Sequence, residues 1–434
     1  MSQRYDAIII GAGVIGACTA NALAEKGWRT LSVDKGPAAG YGSTGASCAI
    51  IRTHYSTLDG AALAHEGYYY WKDWPAYIGV GDERGLAQFR DTGCLVMKTE
   101  GNRYLEPICR NMDALAIPYE HWDEARILER FPFYDLSRFG PPKRPDDPAF
   151  GRPANEHLPG AVFFPRAGYI TDPQLSAHNA QVSAQAKGAR FRFNAKVVEI
   201  LKAGGRAAGL RLEDGTTLTA PVLVNVGGPH SAILNRMAGV EAGMTIKTRA
   251  LKQEVAHVPP PPGFDYERDG MVTSDGDIGC YARPELGNHI LIGSEDPECD
   301  PREWVDPDDY DSNFSEQWRV QVLRKAQRVK GLPIPSRMQG VVDLYDVADD
   351  WIPIYDRSDL PGFYMAVGTS GNQFENAPVA GALMAHLIEN CEAGHDHDAE
   401  PLNFHLKYTG RDIDLGFYSR RRPINPESSF SVLG

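Results

Sequence analysis

Hydrophobic and polar positions follow a readable pattern from the first strand onward. The apolar run of "DAIII" (6–10) is strand length, a glycine turn follows, and "VIGACTANALAEKG" (14–27) has apolar positions at helical spacing before the strand-like "RTLSVD" (29–34). This predicts a β-α-β unit. The texture then changes, with a strand over "FRDTGCLVMK" (89–98) and helices over about 102–116 and "WDEARILERF" (122–131). Eight prolines between 132 and 165 predict a long irregular connection. Helix and strand alternate again from "GYITDPQLSAHNAQVSAQAKGARF" (168–191), through "AKVVEI" (195–200) and a hairpin turning at Asp214-Gly215, to the buried-looking strand "PVLVNVGG" (221–228). Strand candidates "ALKQEVAHV", "GCYARPE" and "HILIGS" lie in 244–335, interrupted by four consecutive prolines at 259–262. Finally "GFYMAVGTSGNQFENAPVAGALMAHLIEN" (362–390) reads as strand, glycine loop and helix, and the tail beyond about 400 lacks periodicity.

The expected architecture is α/β: a Rossmann-type nucleotide-binding domain interleaved with a mixed β-sheet domain. The boundaries read as 1–88, 165–243 and 337–400 for the first, 89–164 and 244–336 for the second, with 401–434 a C-terminal tail.

Composition adds limits rather than detail. The chain has 434 residues, is 42% hydrophobic and 23% charged, and carries a formal net charge of -13, which argues against a generally basic, nucleic-acid-binding surface. Arg420, Arg421 and Arg422 form a local basic run, read as a solvated tail or a subunit contact. Seven scattered cysteines without a CxxC spacing predict a reduced, cytoplasmic protein, and no apolar stretch approaches membrane-span length. No metal centre is expected, because His395 and His397 in "CEAGHDHDAE" have no second ligand cluster nearby and read as a polar turn.

Gly11, Gly13 and Gly16 form a GxGxxG between strand and helix, with Val14 and Ile15 opening that helix. The glycines give a tight turn, a close approach of backbone to a pyrophosphate, and close packing of helix on sheet. Asp34 ends the next strand and accepts hydrogen bonds from a ribose, while its charge repels a 2′-phosphate, so FAD or NAD is favoured over NADP. Lys35 follows it. The small-residue loop "KGPAAGYGSTGASCAIIRTHYS" (35–56), with Gly42, Ser43, Thr44, Ala46, Ser47 and Cys48, suits a long flavin threaded through a channel and favours FAD.

These segments, with "VLVNVGG", "YARPE" and "DLYDVADDWIPIYD", resemble the FAD-dependent amine and amino-acid oxidoreductases that include D-amino-acid oxidase, glycine oxidase and sarcosine oxidase, over residues 4–390. The resemblance leans to the sarcosine oxidase and dimethylglycine dehydrogenase branch. It implies a glutathione-reductase-like FAD fold and a second glycine loop, Gly371, Asn372, Gln373 and Phe374, at the flavin end of the same ligand. It implies that Val197 touches adenine and that Gly227 and Gly228 lie beside the cofactor. It implies that Arg52 holds a substrate carboxylate, that His54 and Tyr55 line the pocket with His54 a candidate to take the amine proton, and that Tyr345 and, more weakly, Tyr281 and Arg283 belong there too.

Three departures from the branch stand out. Asp343 occupies the position of a flavin-bonded cysteine and the early loop has no histidine, so noncovalent FAD is expected, with Cys48 a remote covalent alternative. Glu375 stands where a carboxylate-binding lysine is common, so it either welcomes a cationic substrate or pairs with Arg52. Leu291 aligns with a lysine linked to oxygen activation, which raises the dehydrogenase reading. The expected function is oxidation of the C-N bond of an amino acid or N-methylated amine by hydride transfer to flavin. The alternatives are the flavin subunit of a larger amine dehydrogenase with an electron-acceptor protein, a D-amino-acid dehydrogenase, a non-catalytic nucleotide binder, and an NAD dehydrogenase; oligomeric state stays open.

Overall fold

A computed structural model describes residues 4–432. A six-stranded sheet runs in the order Ile354–Arg357, Phe363–Val367, Val222–Asn225, Ala7–Ile10, Thr30–Val33, Arg190–Arg192, all parallel except the first, which is antiparallel to its neighbour. Its central strands are buried on both faces, so they read as continuous apolar runs rather than alternating ones. Ala7 and Ile9 face a core formed with the helices Val14–Glu25, Pro173–Ala186 and Ala377–Glu392, whereas Ile8 and Ile10 face a core shared with the three-stranded antiparallel sheet Val197–Ala203, Arg206–Leu212 and Thr217–Thr219. The helix Ala377–Glu392 packs tightly on Val14–Glu25: a Cβ on Gly381 would lie 2.6 Å from the backbone of Cys18.

An eight-stranded mixed sheet forms the second layer system, in the order Gly340–Ala348, Thr248–Val258, His289–Ser294, Cys280–Glu285, Val272–Asp275, Cys94–Met97, Ala161–Phe164, Glu120–Trp122. The helix Glu316–Arg328 covers one face with Trp318 and Val322 in an apolar core. The other face borders the cavity described below. Leu291 is a buried residue of the His289–Ser294 strand, paired with Arg283 and His257.

Several local expectations need correction. The strand over 89–98 is two, Phe89–Arg90 and Cys94–Met97, in different sheets, because Gly93 turns the chain at positive φ between them. The proline-rich stretch is irregular up to its last residues, where Ala161–Phe164 is a buried strand. The irregular part is fastened by buried arginines: Arg328 donates to the carbonyls of Asp135 and Ser137, and Arg324 to that of Lys143. The segment beyond 400 is ordered as the hairpin Asn403–Leu406 and Arg411–Asp414, docked where Glu66 accepts from the backbone N–H groups of Tyr408 and Thr409.

The arginine run is also different from its reading. Arg420 is fully buried among Asp356 (3.0 Å), Asp359 (2.5 Å) and Asp398 (2.7 Å), and Arg422 is buried against Asp350 (2.7 Å). Only Arg421 is solvated, sharing Asp359 and Asp398 with Arg420 from the outside. Acids 22 to 72 residues away, none at a helical or strand period, supply these partners, so no local pattern signals the burial. His397 is likewise buried, its Nδ1 accepting from the backbone N–H of Leu402, rather than part of a solvated turn.

Removing one member of a buried ion pair leaves the others uncompensated, which costs about 3–5 kcal/mol, whereas exposed pairs contribute less than about 1. Arg420→Ala is therefore expected to lower the chemical-denaturation midpoint strongly and Arg421→Ala hardly at all. Equal shifts for the two variants contradict this account of the tail.

Candidate active site

One continuous cavity of about 540 Å³ runs from the first glycine loop to the face of the eight-stranded sheet opposite the helix Glu316–Arg328. At one end Gly11, Gly13, Val14, Ile15 and Gly16 line it. Gly11 has φ +114, and a Cβ there would fall 2.2 Å from the Val226 carbonyl; a Cβ on Gly16 would fall 2.2 Å from the Gly11 carbonyl. Any larger residue would close this cradle. The helix Val14–Glu25 has Gly13 as its N-cap without a side-chain cap, and the Val14 N–H donates to Thr44 Oγ1 at 3.1 Å. This is a helix N-terminus framed by small residues, the arrangement that receives a pyrophosphate.

Asp34 lies on the same wall, its carboxylate oriented by the N–H groups of Ala12 and Gly36, both at 2.7 Å. Val197 lines the cavity where its strand begins, and Gly227 and Gly228 follow the Val222–Asn225 strand at its edge. Lys35 is also on the wall but is drawn across the mouth, 2.6 Å from Asp308 and 2.7 Å from His230 Nε2. Asp308 is held well below the usual carboxylate range by its hydrogen bond from Lys35. The crossing segment with Pro307, Asp308 and Tyr310 was not anticipated, since it carries neither periodicity nor a motif.

In the middle of the cavity stand Gly42, Ser43, Thr44, Ala46, Ser47 and Cys48. Ser43 Oγ donates to the Leu344 carbonyl at 2.8 Å and so ties the early loop to the Gly340–Ala348 strand. Asp343 is on the wall as a carboxyl raised by burial, not a thiol, and Cys48 is a thiol pushed up by burial, which keeps it protonated. Neither position offers a thiolate for a covalent link.

The second glycine loop, Gly371, Asn372, Gln373, Phe374 and Glu375, forms the opposite wall, and the helix Ala377–Glu392 starts directly after it. Gly368, Ser370 and Gly371 all have positive φ, so the loop is left-handed at three of four positions. Asp346 holds this shape: its carboxylate accepts from the Gly368 N–H at 2.6 Å and from Ser231 Oγ at 2.8 Å, and burial pushes it up to about 7. Asp346 lies in "DLYDVADDWIPIYD", yet its partners are 22 and 115 residues away and could not be read from the motif. Two aromatic rings each sit over a glycine. Tyr345 occupies the space a Cβ on Gly371 would need, and Tyr281 that of Gly293; their hydroxyls lie 3.5 Å apart, with Cys48 Sγ 3.5 Å from that of Tyr281.

The far end is built around Arg52, which is 7% exposed. Its Nε lies 3.7 Å from Glu375 Oε1, its Nη2 donates to the Val432 carbonyl at 2.6 Å, and its guanidinium stacks over the Tyr55 ring at 4.4 Å. Burial opposes the Arg52 charge, while Tyr55 and Glu375 hold it. Glu375 is pushed up to about 7 by burial, against the pull of Arg52 and a hydrogen bond donated by the Tyr55 hydroxyl. His54 lines the cavity stacked on Phe164 at 4.2 Å, its Nδ1 buried without a partner among the described residues, and burial with Arg52 nearby holds it well below its usual range, hence neutral.

Two sequence candidates fall outside the cavity wall. Tyr55 is buried behind Arg52 and Glu375, where it orients them. Arg283 is sealed against Glu285 (3.0 Å) and stacked on Tyr169. In the other direction, Cys94, Gln253, Val255, Ser274 and Val432 line the cavity and carry no recognisable motif. Alternation along the Thr248–Val258 strand, which puts Gln253 and Val255 on one face, was the one available signal.

Comparison with known proteins bears on this arrangement. The family model described as "DAO: FAD dependent oxidoreductase" matches residues 6–387. The chain belongs to this family. It is 24% identical to a glycine oxidase of Geobacillus kaustophilus over 423 residues, covering 94% of this chain and 100% of that one. It is also 24% identical to a sarcosine oxidase subunit beta of an Arthrobacter species, covering 95% of this chain and 93% of that one. Among solved structures the L-proline dehydrogenase of P. horikoshii shares the fold with a TM-score of 0.74 at 19% identity, over 90% of this chain and 95% of that one. FAD is thus the cofactor, and the cradle described above, with its open glycines and helix N-terminus, fits it. Among the described residues no cluster of metal-ligating side chains is present, and no helix is long and apolar enough to cross a membrane.

Gly11→Val is expected to yield a protein that folds around its remaining core but purifies without bound flavin, read from the visible absorbance per mole of chain. Flavin retained at the wild-type ratio contradicts the assignment of this loop.

Proposed function

We propose that this flavoprotein oxidises the C-N bond of an amino acid or N-methylated amine that carries a carboxylate. The observation that carries the reading is the buried Arg52 guanidinium on the wall of the cavity, at the end remote from the Gly11 cradle. A guanidinium fork pairs bidentately with a carboxylate and so fixes the substrate's orientation, and burial makes that pairing stronger than it is in water. The family relatives named above as a glycine oxidase and a sarcosine oxidase subunit act on such compounds by their names, which supports the same reading.

FAD supplies the two-electron acceptor for the hydride when bound. The chain's part is to bind and orient the carboxylate through Arg52 and to manage the proton. The carbon beside nitrogen loses hydride, the nitrogen loses a proton, and the imine formed adds water to give a carbonyl compound and an amine. His54, held neutral, presents a hydrogen-bonding nitrogen but is too weak a base to draw a proton from an ammonium group. Glu375, at about 7, is the wall carboxyl beside Arg52, placed to exchange a proton near neutrality at the substrate end; Asp346, also raised to about 7, is occupied with the Gly368 N–H and Ser231. Tyr281 and Tyr345 close the site with their paired hydroxyls and exclude water from the reacting carbon.

A second reading, in which the chain is the flavin subunit of a larger assembly, rests on its similarity to a protein named as a subunit. Anaerobic addition of sarcosine, N-methyl amino acids, proline and D-amino acids in turn, followed by the visible spectrum, tests the first reading. Bleaching by one class supports it, and air then separates oxygen from another electron acceptor. A flavin that no member bleaches counts against it.

Two further outcomes are expected with the substrate so found. Arg52→Ala loses roughly 2–5 kcal/mol in kcat/KM while keeping FAD. Glu375 also sets a pH dependence. Its carboxyl faces Arg52, Tyr55 and Tyr355, and as an acid raised to about 7 it is neutral below that pH and anionic above it. Arg52 therefore offers its full charge to a carboxylate at low pH, so kcat/KM for an anionic substrate should have a component that falls as pH rises through about 7. Glu375→Gln should remove that component; a profile unchanged by the substitution contradicts the assignment.

A further inference from the structure

The chain between Arg422 and Val432 is fastened at both ends and irregular between them. Arg422 holds Asp350 through two hydrogen bonds, at 2.9 and 2.7 Å, and donates to the Ile352 carbonyl at 2.6 Å. Residues 423–432 contain no helix or strand. At the other end Arg302 donates to the Phe430 carbonyl at 3.0 Å, and Val432 packs at 7% exposure against Leu251, Tyr281, Val347 and Trp351. The Val432 carbonyl is the acceptor at 2.6 Å from Arg52 Nη2, inside the cavity wall.

Resting on the reading of Arg52 as the carboxylate anchor, we propose that residues 423–432 are a strap whose Val432 carbonyl holds the Arg52 site until a substrate carboxylate displaces it. Glu375 already stands beside Nε, so Nη2 is the donor that a bidentate carboxylate must also engage, and a carbonyl on it blocks that geometry. The exchange is favourable in direction. A neutral carbonyl that takes one hydrogen bond gives way to an anion that can take two parallel ones from the guanidinium fork. The strap has no helix or strand of its own, and the Arg52 and Arg302 hydrogen bonds near its end go to its backbone carbonyls, which is the profile of a segment that opens locally. The Arg422 anchor confines the movement to the last ten described residues.

The strap then acts on specificity. Apparent affinity for a carboxylate is reduced by the fraction of molecules with the strap closed, while an amine without a carboxylate has no need to open it. Val432 and Arg302 become specificity-determining positions that themselves lie outside every motif read in the sequence.

The test uses the full-length, FAD-loaded protein with acetate as the probe, bound acetate being followed by perturbation of the flavin band and the strap by hydrogen exchange of residues 423–432. Saturating acetate is expected to raise exchange in this segment, and Val432→Gly and Arg302→Gln are each expected to bind acetate about three- to tenfold more tightly, because they lower the closed fraction. If acetate binds but strap exchange is unchanged, or neither variant binds it more tightly, the strap is a fixed wall; the proposal falls and the Arg52 reading stands. If acetate perturbs the flavin in none of the three proteins, the Arg52 reading itself falls and the strap proposal with it.

Discussion

A guanidinium sealed from water cannot shed its proton, so the surrounding chain must supply anions and acceptors at fixed positions. Arg52 finds them in three places: Glu375 from the second glycine loop, the Tyr55 ring from its own segment, and the Val432 carbonyl from the last described turn. This end of the cavity is the meeting of these segments. Glu375 is itself placed from behind. Trp71 Nε1 donates to its carbonyl at 2.9 Å, and Gly67 lets the helix Leu58–Lys72 approach so closely that a Cβ would lie 2.3 Å from that oxygen. Helix packing thus fixes a loop, and the loop fixes the charge.

The two glycine loops line one cavity and are shaped by different means. The first is a strand-to-helix turn in which glycine is needed because neighbouring backbone occupies the Cβ positions of Gly11 and Gly16. The second is a left-handed stretch held open by a buried acid, Asp346, which satisfies the N–H of Gly368 and receives Ser231 from another element. The first reads as a strand-turn-helix in its own sequence, although Val226 from another strand closes one side of it. The second exists only when the Gly340–Ala348 strand is in place, so it depends on the eight-stranded sheet.

This difference also explains what the sequence disclosed. The β-α-β start, the Asp214-Gly215 hairpin and the helix after the second loop are written in periods of two and 3.6 and in turn residues, and they fold as read. Most of the cavity-lining residues carry motifs or lie beside them. What was not legible was long-range charge compensation. Arg420 and Arg422 looked solvated because their acids lie far away along the chain. Tyr55 looked like a pocket residue from its place beside Arg52 and His54, yet an extended segment turns alternate side chains to opposite sides, and it lies behind the wall. Val432 carries no chemistry in its side chain and meets Arg52 through a backbone carbonyl, a contact that no pattern of residue types can announce.

The acid beside the arginine has a consequence for binding that the arginine alone lacks. With Glu375 ionised, the pair is close to neutral and an arriving carboxylate meets an anion beside its intended partner. With Glu375 protonated, the same site presents a full positive charge and no competing anion. On the reading in which Arg52 binds the substrate carboxylate, the negative charge that enters must therefore raise the proton affinity of Glu375, and by reciprocity a proton bound at Glu375 must strengthen carboxylate binding by the same factor. Carboxylate and proton then enter the site together. A lysine at this position would instead add a second fixed cation and bind the anion without any such coupling, so the exchange of a basic residue for an acid converts a static anion site into one whose occupancy answers to pH.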